Sequence, residues 1–258
     1  MSPPTPAPSR LGPAPTRPSP SKPLARADDL AIAGLVPFGT VDWPGRLAAT
    51  VFCQGCPWAC GYCHNHELIC SRTPGRVPWQ EVRELLAARR GLLDGIVFSG
   101  GEALRQPAVL DAMREARDAG FGVALHTAGA FPNRLRDALH LVDWVGLDIK
   151  ALPEHYAEVV GRPGARGQAW RALEMLLASE VDFEVRTTVA PGRTAADALE
   201  AARRCRALGV RAFALQRARG TGTRPGFAAT ADGWEAQCDA LARRIEELGF
   251  ERFDYRTG

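Results

Sequence analysis

Four of the chain's seven cysteines lie within the eleven residues from Cys53 to Cys63, in the stretch FCQGCPWACGYC. Cys56, Cys60 and Cys63 make a CxxxCxxC run, with Cys53 three residues upstream. Thiols this dense point to metal or redox chemistry, and three arrangements compete. A structural zinc site takes four ligands, normally as two separated pairs. Cys53 or His64 would be available to complete a set, but the second pair expected roughly 12 to 20 residues further on is missing. A ferredoxin-type cluster takes four cysteines, the fourth often followed by proline, and leaves no coordination position open. A cluster held by only three cysteines leaves one iron for a ligand that is not protein, and such an iron is a reaction site. Disulfides fit least: seven is an odd number for a framework, and a cytosolic chain of this size needs no staples.

The elements that must position these thiols follow a regular rhythm from Leu30 onward. Short apolar runs rich in β-formers are LAATVFC, GIVFSG, FGVALHT, DWVGLDIK, DFEVRTTV and VRAFALQ. Between them lie helix-period stretches such as PWQEVRELLAARRG, PAVLDAMREARDAG, AWRALEMLLASE and AADALEAARRCRALG, several closed by glycine as helix C-termini commonly are. Strand and helix alternate about six times, and the strands are apolar enough to be covered by helices, which predicts a parallel α/β sheet with right-handed crossovers. In such folds reactive residues gather at the C-terminal strand ends. The cysteine run stands there, directly after LAATVF.

Length and composition bound the rest. With 258 residues, 46% hydrophobic and 24% charged, the chain can bury one sizeable core. A formal charge of +3 is too balanced to argue for nucleic acid or an anionic membrane surface. No apolar run reaches the length of a membrane span, and the N-terminus lacks a basic-then-apolar leader pattern, so a cytoplasmic location is expected. The opening stretch, dense in proline and small polar residues, has almost nothing to bury. It predicts a disordered tail over residues 1–27, ahead of a domain over 28–258.

Two motifs together carry a family resemblance. CxxxCxxC with Tyr62 before its last cysteine, followed about forty residues later by SGGEAL at Ser99 to Leu104, resembles the radical S-adenosylmethionine (SAM) superfamily. The resemblance implies a partial (β/α)6 TIM-like barrel with parallel strands. It also implies one [4Fe-4S] cluster on Cys56, Cys60 and Cys63, with the amino and carboxyl groups of SAM on the fourth iron. An electron from the cluster then cleaves the sulfonium bond, giving methionine and a 5′-deoxyadenosyl radical that abstracts hydrogen. The stretch GLVPFGTVDWPGRLAATVFCQGCPWACGYCHN is similar, more narrowly, to the opening of activases of glycyl radical enzymes, and most like the anaerobic ribonucleoside-triphosphate reductase activating group. That likeness implies a glycyl radical enzyme as partner, anaerobic ribonucleotide reductase above all, and a reductant such as flavodoxin or ferredoxin.

The resemblance also assigns SAM contacts, each with a plainer alternative. Gly100 and Gly101 would bring backbone against the SAM methionine and Glu102 would engage its amino group, or the glycines merely permit a tight turn. Tyr62 would lie against the adenine, with His64 counted in the same lining, or Tyr62 packs in the core. Thr127, in HTAG after the third strand, would lie beneath the ribose. Asp148 and Lys150 of LDIK would face the SAM carboxylate and sugar, or stabilise their own loop as a pair. Arg186, inward on the fifth strand, would be costly to bury alone and needs either a SAM carboxylate or an acidic neighbour. His126 stands where many activases carry an acid, which weakens any inference of a monovalent cation beside SAM. Gln216 stands near a position that is histidine in pyruvate formate-lyase activases. Cys205 and Cys238 fall at helical spacing and read as small buried residues. Cys70 alone lies between His64 and Phe98, so a single cluster is expected. A radical SAM enzyme acting on a small molecule or on another glycyl radical partner, and a non-catalytic zinc or iron–sulfur module, are the competing readings.

Overall fold

A computed structural model describes residues 25–257. One eight-stranded sheet runs in sequence order: β1 (Ile32–Gly39), β2 (Ala48–Cys53), β3 (Gly95–Gly100), β4 (Gly122–Thr127), β5 (Trp144–Asp148), β6 (Asp182–Val189), β7 (Ala212–Arg217) and β8 (Arg252–Arg256). β1 is antiparallel to β2, and every later pairing is parallel. Helices α1 (Trp79–Ala88), α2 (Val109–Asp118), α3 (Pro132–Ala138), α4 (Tyr156–Val160), α5 (Gln168–Leu177), α6 (Arg193–Ala207) and α7 (Trp234–Glu246) form the crossovers. The six expected strands are β2 to β7, and the architecture is the expected partial barrel. β1 and β8 extend it on either side and do not pair with each other, so the sheet stays open.

The two strands absent from the sequence-based count have physical reasons for escaping it. β1 carries Pro37, which cannot donate to a ladder and is tolerated because this is an edge strand; Val36 and Phe38 on it remain exposed. β8 reads Arg-Phe-Asp-Tyr-Arg, an alternation of charged and aromatic residues that suits a half-buried strand but lacks the apolar continuity of its neighbours.

The convex face of the sheet packs on the helices through residues such as Val51, Ile96, Leu125, Leu147, Val185 and Leu215, all fully buried. The concave face is different. Trp43, Ala48, Val97, Ala124 and Trp144 make a small separate apolar plug near the N-terminal strand ends. Above it the inward residues turn polar, because strand period two places Ser99, His126, Asp148, Glu184 and Arg186 on the same side as the plug.

The proline-rich tail expected over residues 1–27 lies, through residue 24, outside the described residues. Its last residues belong to the domain instead. Ala27 is fully buried, its N–H donates to Asp111 on α2 at 3.0 Å, and Asp28 pairs with Arg83 on α1 at 2.6 Å. Because residues 1–24 are dense in proline and small polar residues, a truncation ending at residue 24 is expected to leave the thermal midpoint unchanged. One ending at Leu30 also strips two buried side chains and should destabilise the protein by about 3 kcal/mol. Differential scanning calorimetry of the two truncations separates the outcomes, and equal midpoints would refute the docking of this segment.

Candidate functional site

The cysteine loop leaves the C-terminal end of β2 and is held by its neighbours rather than by secondary structure of its own. The N–H groups of Gly55 and Cys56 donate to the carbonyls of Leu68 and Ile69 at 2.7 and 3.1 Å, and that of Ala59 donates to Val160 O at 2.9 Å. Trp58 packs edge-on against Tyr156, with ring centroids 5.4 Å apart. Two buried amides complete the clamp. Gln54 Nε2 donates to Cys70 O at 2.9 Å, and Gln106 Nε2 donates to Gln54 O at 3.0 Å and Ala31 O at 2.9 Å. Neither glutamine stands out in the sequence, since a lone Gln gives no periodic or motif signal.

Cys56, Cys60 and Cys63 are all half-buried on this loop, while Cys53 is fully buried on β2. Burial pushes the Cys56 thiol up to about 12 and the Cys60 thiol up to about 11, with Lys150 pulling both the other way. Among the described residues no group of three or more His, Cys, Asp or Glu side chains is set to hold a metal ion. Three soft thiol donors spaced along one loop are the residue types that a cluster taking one thiolate per iron requires. Part of the His64 side chain stays exposed, and the burial of the rest, with the nearby Arg219 charge, lowers its imidazole pKa.

The GGE turn stands beside this loop. Gly100 has φ 110°, and a Cβ there would collide with the backbone of Cys53. A Cβ on Gly101 would lie 2.5 Å from Gly55 O. Only glycine lets the β3 end press flat against the start of the cysteine loop, so the tight-turn reading of both residues is literal. Glu102 is 1% exposed and acts as a staple between two strand ends. Its carboxylate accepts from Thr127 Oγ1 at 2.8 Å, Ala128 N at 2.9 Å and Leu104 N at 3.1 Å. Burial raises its pKa to about 7 against the pull of those donors, with the Asp148 charge adding to the rise. Thr127 is thereby committed to Glu102 and, through its Oγ1, to Gly129 N.

On the next strand end, Lys150 Nζ donates to Asp148 Oδ2 at 2.7 Å and lies over the Tyr62 ring, 5.7 Å from its centroid. Burial disfavours both charges, but each more than offsets it for the other: Asp148 is held below the usual carboxylate range and Lys150 well above the usual amine range. Tyr62 is buried beside them, its hydroxyl without a hydrogen-bond partner among the described residues. Tyr62, Asp148, Lys150 and the cysteine loop are thus brought together.

Arg186 finds an acidic neighbour. Its Nε donates to Glu184 Oε1 at 3.0 Å, its guanidinium stacks 5.1 Å from the Trp144 ring centroid, and Arg256 Nη2 reaches the other Glu184 oxygen at 3.0 Å. Room for this guanidinium comes from Gly146, where a Cβ would stand 2.8 Å from Arg186 Cζ. His126 Nε2 lies 2.6 Å from Asp42 O and 3.1 Å from Arg186 Nη1, and Nδ1 lies 3.3 Å from Ser99 Oγ. Burial and then the Arg186 charge press its pKa down to about 3, which keeps the ring neutral. The Gln216 side chain accepts from Thr188 Oγ1 at 3.4 Å. Arg256 carries no signal in the sequence, because its role depends on the placing of a separate strand, whereas Glu184 stands two residues from Arg186 on the same strand.

Glu102 and His126 predict opposite pH dependences. Glu102 has a folded pKa raised from 4.5 to about 7, so its contribution to stability is full below 4.5 and lost as pH rises through 7. That contribution is about 3 kcal/mol. His126 has a folded pKa depressed from 6.5 to about 3, so its contribution is full above 6.5 and lost as pH falls towards 3. Between pH 4.5 and 6.5 the slopes oppose. His126→Gln should therefore unmask a fall in stability with rising pH, and Glu102→Gln a rise. Urea titrations at half-unit pH steps check this, and parallel pH curves for the two variants would refute it.

Comparison with known proteins places this geometry. Residues 50–211 match the family model of the radical SAM superfamily. A putative glycyl-radical enzyme activating enzyme of Methanocaldococcus jannaschii is 29% identical over 62% of this chain and 68% of its own length. A pyruvate formate-lyase-activating enzyme of Clostridium pasteurianum is 33% identical over 50% of this chain and 56% of its own. Among solved structures, Streptococcus suis SuiB bound to precursor peptide SuiA superposes with TM-score 0.61 at 12% identity, over 79% of this chain and 47% of that one. The enzyme anSMEcpe with bound AdoMet superposes with TM-score 0.57 at 14% identity, over 79% of this chain and 61% of that one. The matched segment runs from within β2, through the cysteine loop and the GGE turn, to the start of β7, and by it the chain belongs to the radical SAM superfamily.

Proposed function

We propose that this protein is a glycyl radical enzyme activase, reductively cleaving SAM in order to place a radical on a backbone glycine of a partner. The carrying observation is the meeting, at the C-terminal strand ends, of three half-buried cysteines, the GGE turn and the Asp148–Lys150 pair over Tyr62. When bound, a [4Fe-4S] cluster with one open iron supplies the electron that breaks the sulfonium bond of SAM.

The chain's own residues do the rest. Cys56, Cys60 and Cys63 hold the cluster. Gly100 and Gly101 bring peptide groups up to the methionine moiety, and Glu102 fixes the β3 and β4 ends that flank it. The Lys150 ammonium meets a carboxylate, Asp148 meets a sugar hydroxyl or an amino group, and the unpaired Tyr62 hydroxyl and ring take the nucleoside side. Thr127 and His64 line the two ends of this cleft. Arg186 is satisfied by Glu184 and Arg256, so its part is to position His126 and the strand ends around it.

A polypeptide substrate is favoured by the open sheet: β1 and β8 do not pair, and a loop offered by a folded partner can enter from that side. The unpaired cysteines fit a reducing cytoplasm. No helix among the described residues is long and apolar enough to cross a membrane. The opening stretch favours anaerobic ribonucleotide reductase as partner, whereas relatives named for pyruvate formate-lyase make that enzyme the competing one. The test mixes reduced, cluster-replete protein with SAM and each candidate in turn. A doublet glycyl radical signal in electron paramagnetic resonance is expected with one of them, and silence when its acceptor glycine is changed to alanine. Turnover of a small metabolite with no signal on either polypeptide would overturn the activase reading, and absence of 5′-deoxyadenosine under all conditions would overturn the SAM chemistry.

A further inference from the structure

The turn that carries Asp148 and Lys150 is held by its neighbours. Ile149 N–H donates to Arg186 O and Ile149 O accepts from Thr187 Oγ1, both on β6 and both at 2.9 Å. From α5, Trp170 Nε1 donates to Ala151 O at 3.1 Å, and the buried Asp197 on α6 accepts from Leu152 N at 3.2 Å. A further support comes from the turn's own continuation. Pro153 opens a short 3-10 turn over Pro153–His155, after which Tyr156, the first residue of α4, returns to the strand end six residues beyond Lys150. Tyr156 is 1% exposed, and its hydroxyl accepts from Lys150 N at 3.2 Å while donating to Asp148 O at 3.4 Å. A hydroxyl carries one donor and two acceptor sites, so a single oxygen clasps both backbone groups that flank Ile149.

Tyr156 also reaches the cysteine loop. Its ring packs edge-on against Trp58, which stands between Cys56 and Cys60 in sequence, with 5.4 Å between the ring centroids. The rest of α4 follows the same loop: Val160 O accepts the Ala59 N–H at 2.9 Å, and Arg162 Nε, just beyond the helix, donates to Pro57 O at 3.0 Å. Gly161 ends the helix at φ 62°, and a Cβ there would stand 3.1 Å from Ala59 O, so glycine lets the helix end close on the loop. One side chain thus touches both halves of the candidate site. Its oxygen holds the backbone that carries the charge pair, and its ring holds the loop that carries the thiols.

We infer that Tyr156 is a positioning residue for SAM: its hydroxyl fixes the Asp148–Lys150 pair at the end of β5, and its ring, through Trp58, ties that pair to the loop that carries the thiols. The inference deepens the proposed SAM chemistry and rests on it. A cofactor held at one end by the cluster loop and at the other by the charge pair is bound well only if the two stay in register. Misplacement by about 1 Å is enough to cost 10-fold or more in such an arrangement. The tyrosine acts through main-chain atoms, which leaves the Lys150 ammonium to Asp148 Oδ2 and the Tyr62 ring. Phenylalanine at this position keeps the ring against Trp58 but takes from the Lys150 N–H the acceptor it has in Tyr156.

The test uses the anaerobic, cluster-loaded protein and the variants Tyr156→Phe, Trp58→Leu and Thr187→Val. Thr187→Val is the matched control, since it removes one buried hydrogen bond to the same turn from the β6 side. Hydrogen exchange of the Lys150 amide, read at single-residue resolution without SAM, should quicken by about 10-fold or more in Tyr156→Phe and should quicken also in Trp58→Leu. At equal cluster content, Tyr156→Phe should raise KM for SAM about 10-fold while kcat for 5′-deoxyadenosine release changes by less than about threefold. Thr187→Val should lower the urea midpoint by as much as Tyr156→Phe does and leave KM unchanged. A Lys150 amide as well protected in Tyr156→Phe as in wild type would overturn the inference. So would an equal rise of KM in Thr187→Val, which would make Tyr156 one structural support among several. Unaltered Lys150 exchange in Trp58→Leu would overturn the link to the cysteine loop. Failure of the SAM reading is told apart from all three, because it appears in wild-type protein, as absent SAM binding and absent 5′-deoxyadenosine beside a Lys150 amide that still responds to Tyr156→Phe.

Discussion

Cys56→Ala, Cys60→Ala and Cys63→Ala, made one at a time, are each expected to yield anaerobically purified protein without the brown iron–sulfur absorbance and to abolish SAM cleavage, whereas Cys53→Ala keeps both. A cluster on three thiolates has no ligand in reserve. Nor do the three buried cysteines offer one. Cys53 is fully buried in the core, where loss of solvent pushes its thiol up to about 12, and Cys205 and Cys238 are buried on α6 and α7. Removing the Cys53 sulfur should cost only about 1 kcal/mol of packing. Because burial also holds the Cys56 and Cys60 thiols protonated when no metal is bound, loading releases protons, and reconstitution of the wild type should proceed more readily at pH 8.5 than at pH 7. Iron per chain, visible absorbance and released 5′-deoxyadenosine are the readouts. A full cluster in all three loop variants with loss in Cys53→Ala would reverse the ligand assignment.

Lys150→Met is expected to be the most damaging substitution outside the cysteines. It strands the Asp148 carboxylate beside the buried Glu102, whose own carboxyl the Asp148 charge already pushes towards the neutral form. Breaking a buried pair by removing one partner typically costs 3–5 kcal/mol; because Asp148 keeps 33% of its side chain exposed, the lower end, about 3 kcal/mol, applies here. The double variant Asp148→Asn, Lys150→Met removes both charges and should recover most of that stability. It should not recover SAM binding. This separates the two readings of the Asp-x-Lys pair: a merely structural pair predicts that the double variant binds SAM like wild type, while a cofactor-facing pair predicts stable, cluster-replete protein whose SAM affinity is reduced by 10-fold or more. Chemical denaturation paired with equilibrium dialysis of SAM decides between them.

The features legible in the sequence were those written in local chemistry. Period-two apolar runs and period-3.6 amphipathic runs marked out β2 to β7 and the helices α1, α2, α5 and α6, because burial on one face is a property of residue order. CxxxCxxC and GGE were legible for the same reason, each being a short segment whose spacing alone makes a loop or a turn. What tertiary structure decided was every pairing across elements. Whether Arg186 needed a ligand turned on Glu184 two residues away on the same strand, on Arg256 of an unrecognised strand, and on the room left by Gly146 across the ladder. Glu102 read as a ligand-facing acid, yet its oxygens are taken up by Leu104, Thr127 and Ala128. Sequence order determines which face each residue takes, but the charge and hydrogen-bond partners it meets there are set by register and by the convergence of distant loops.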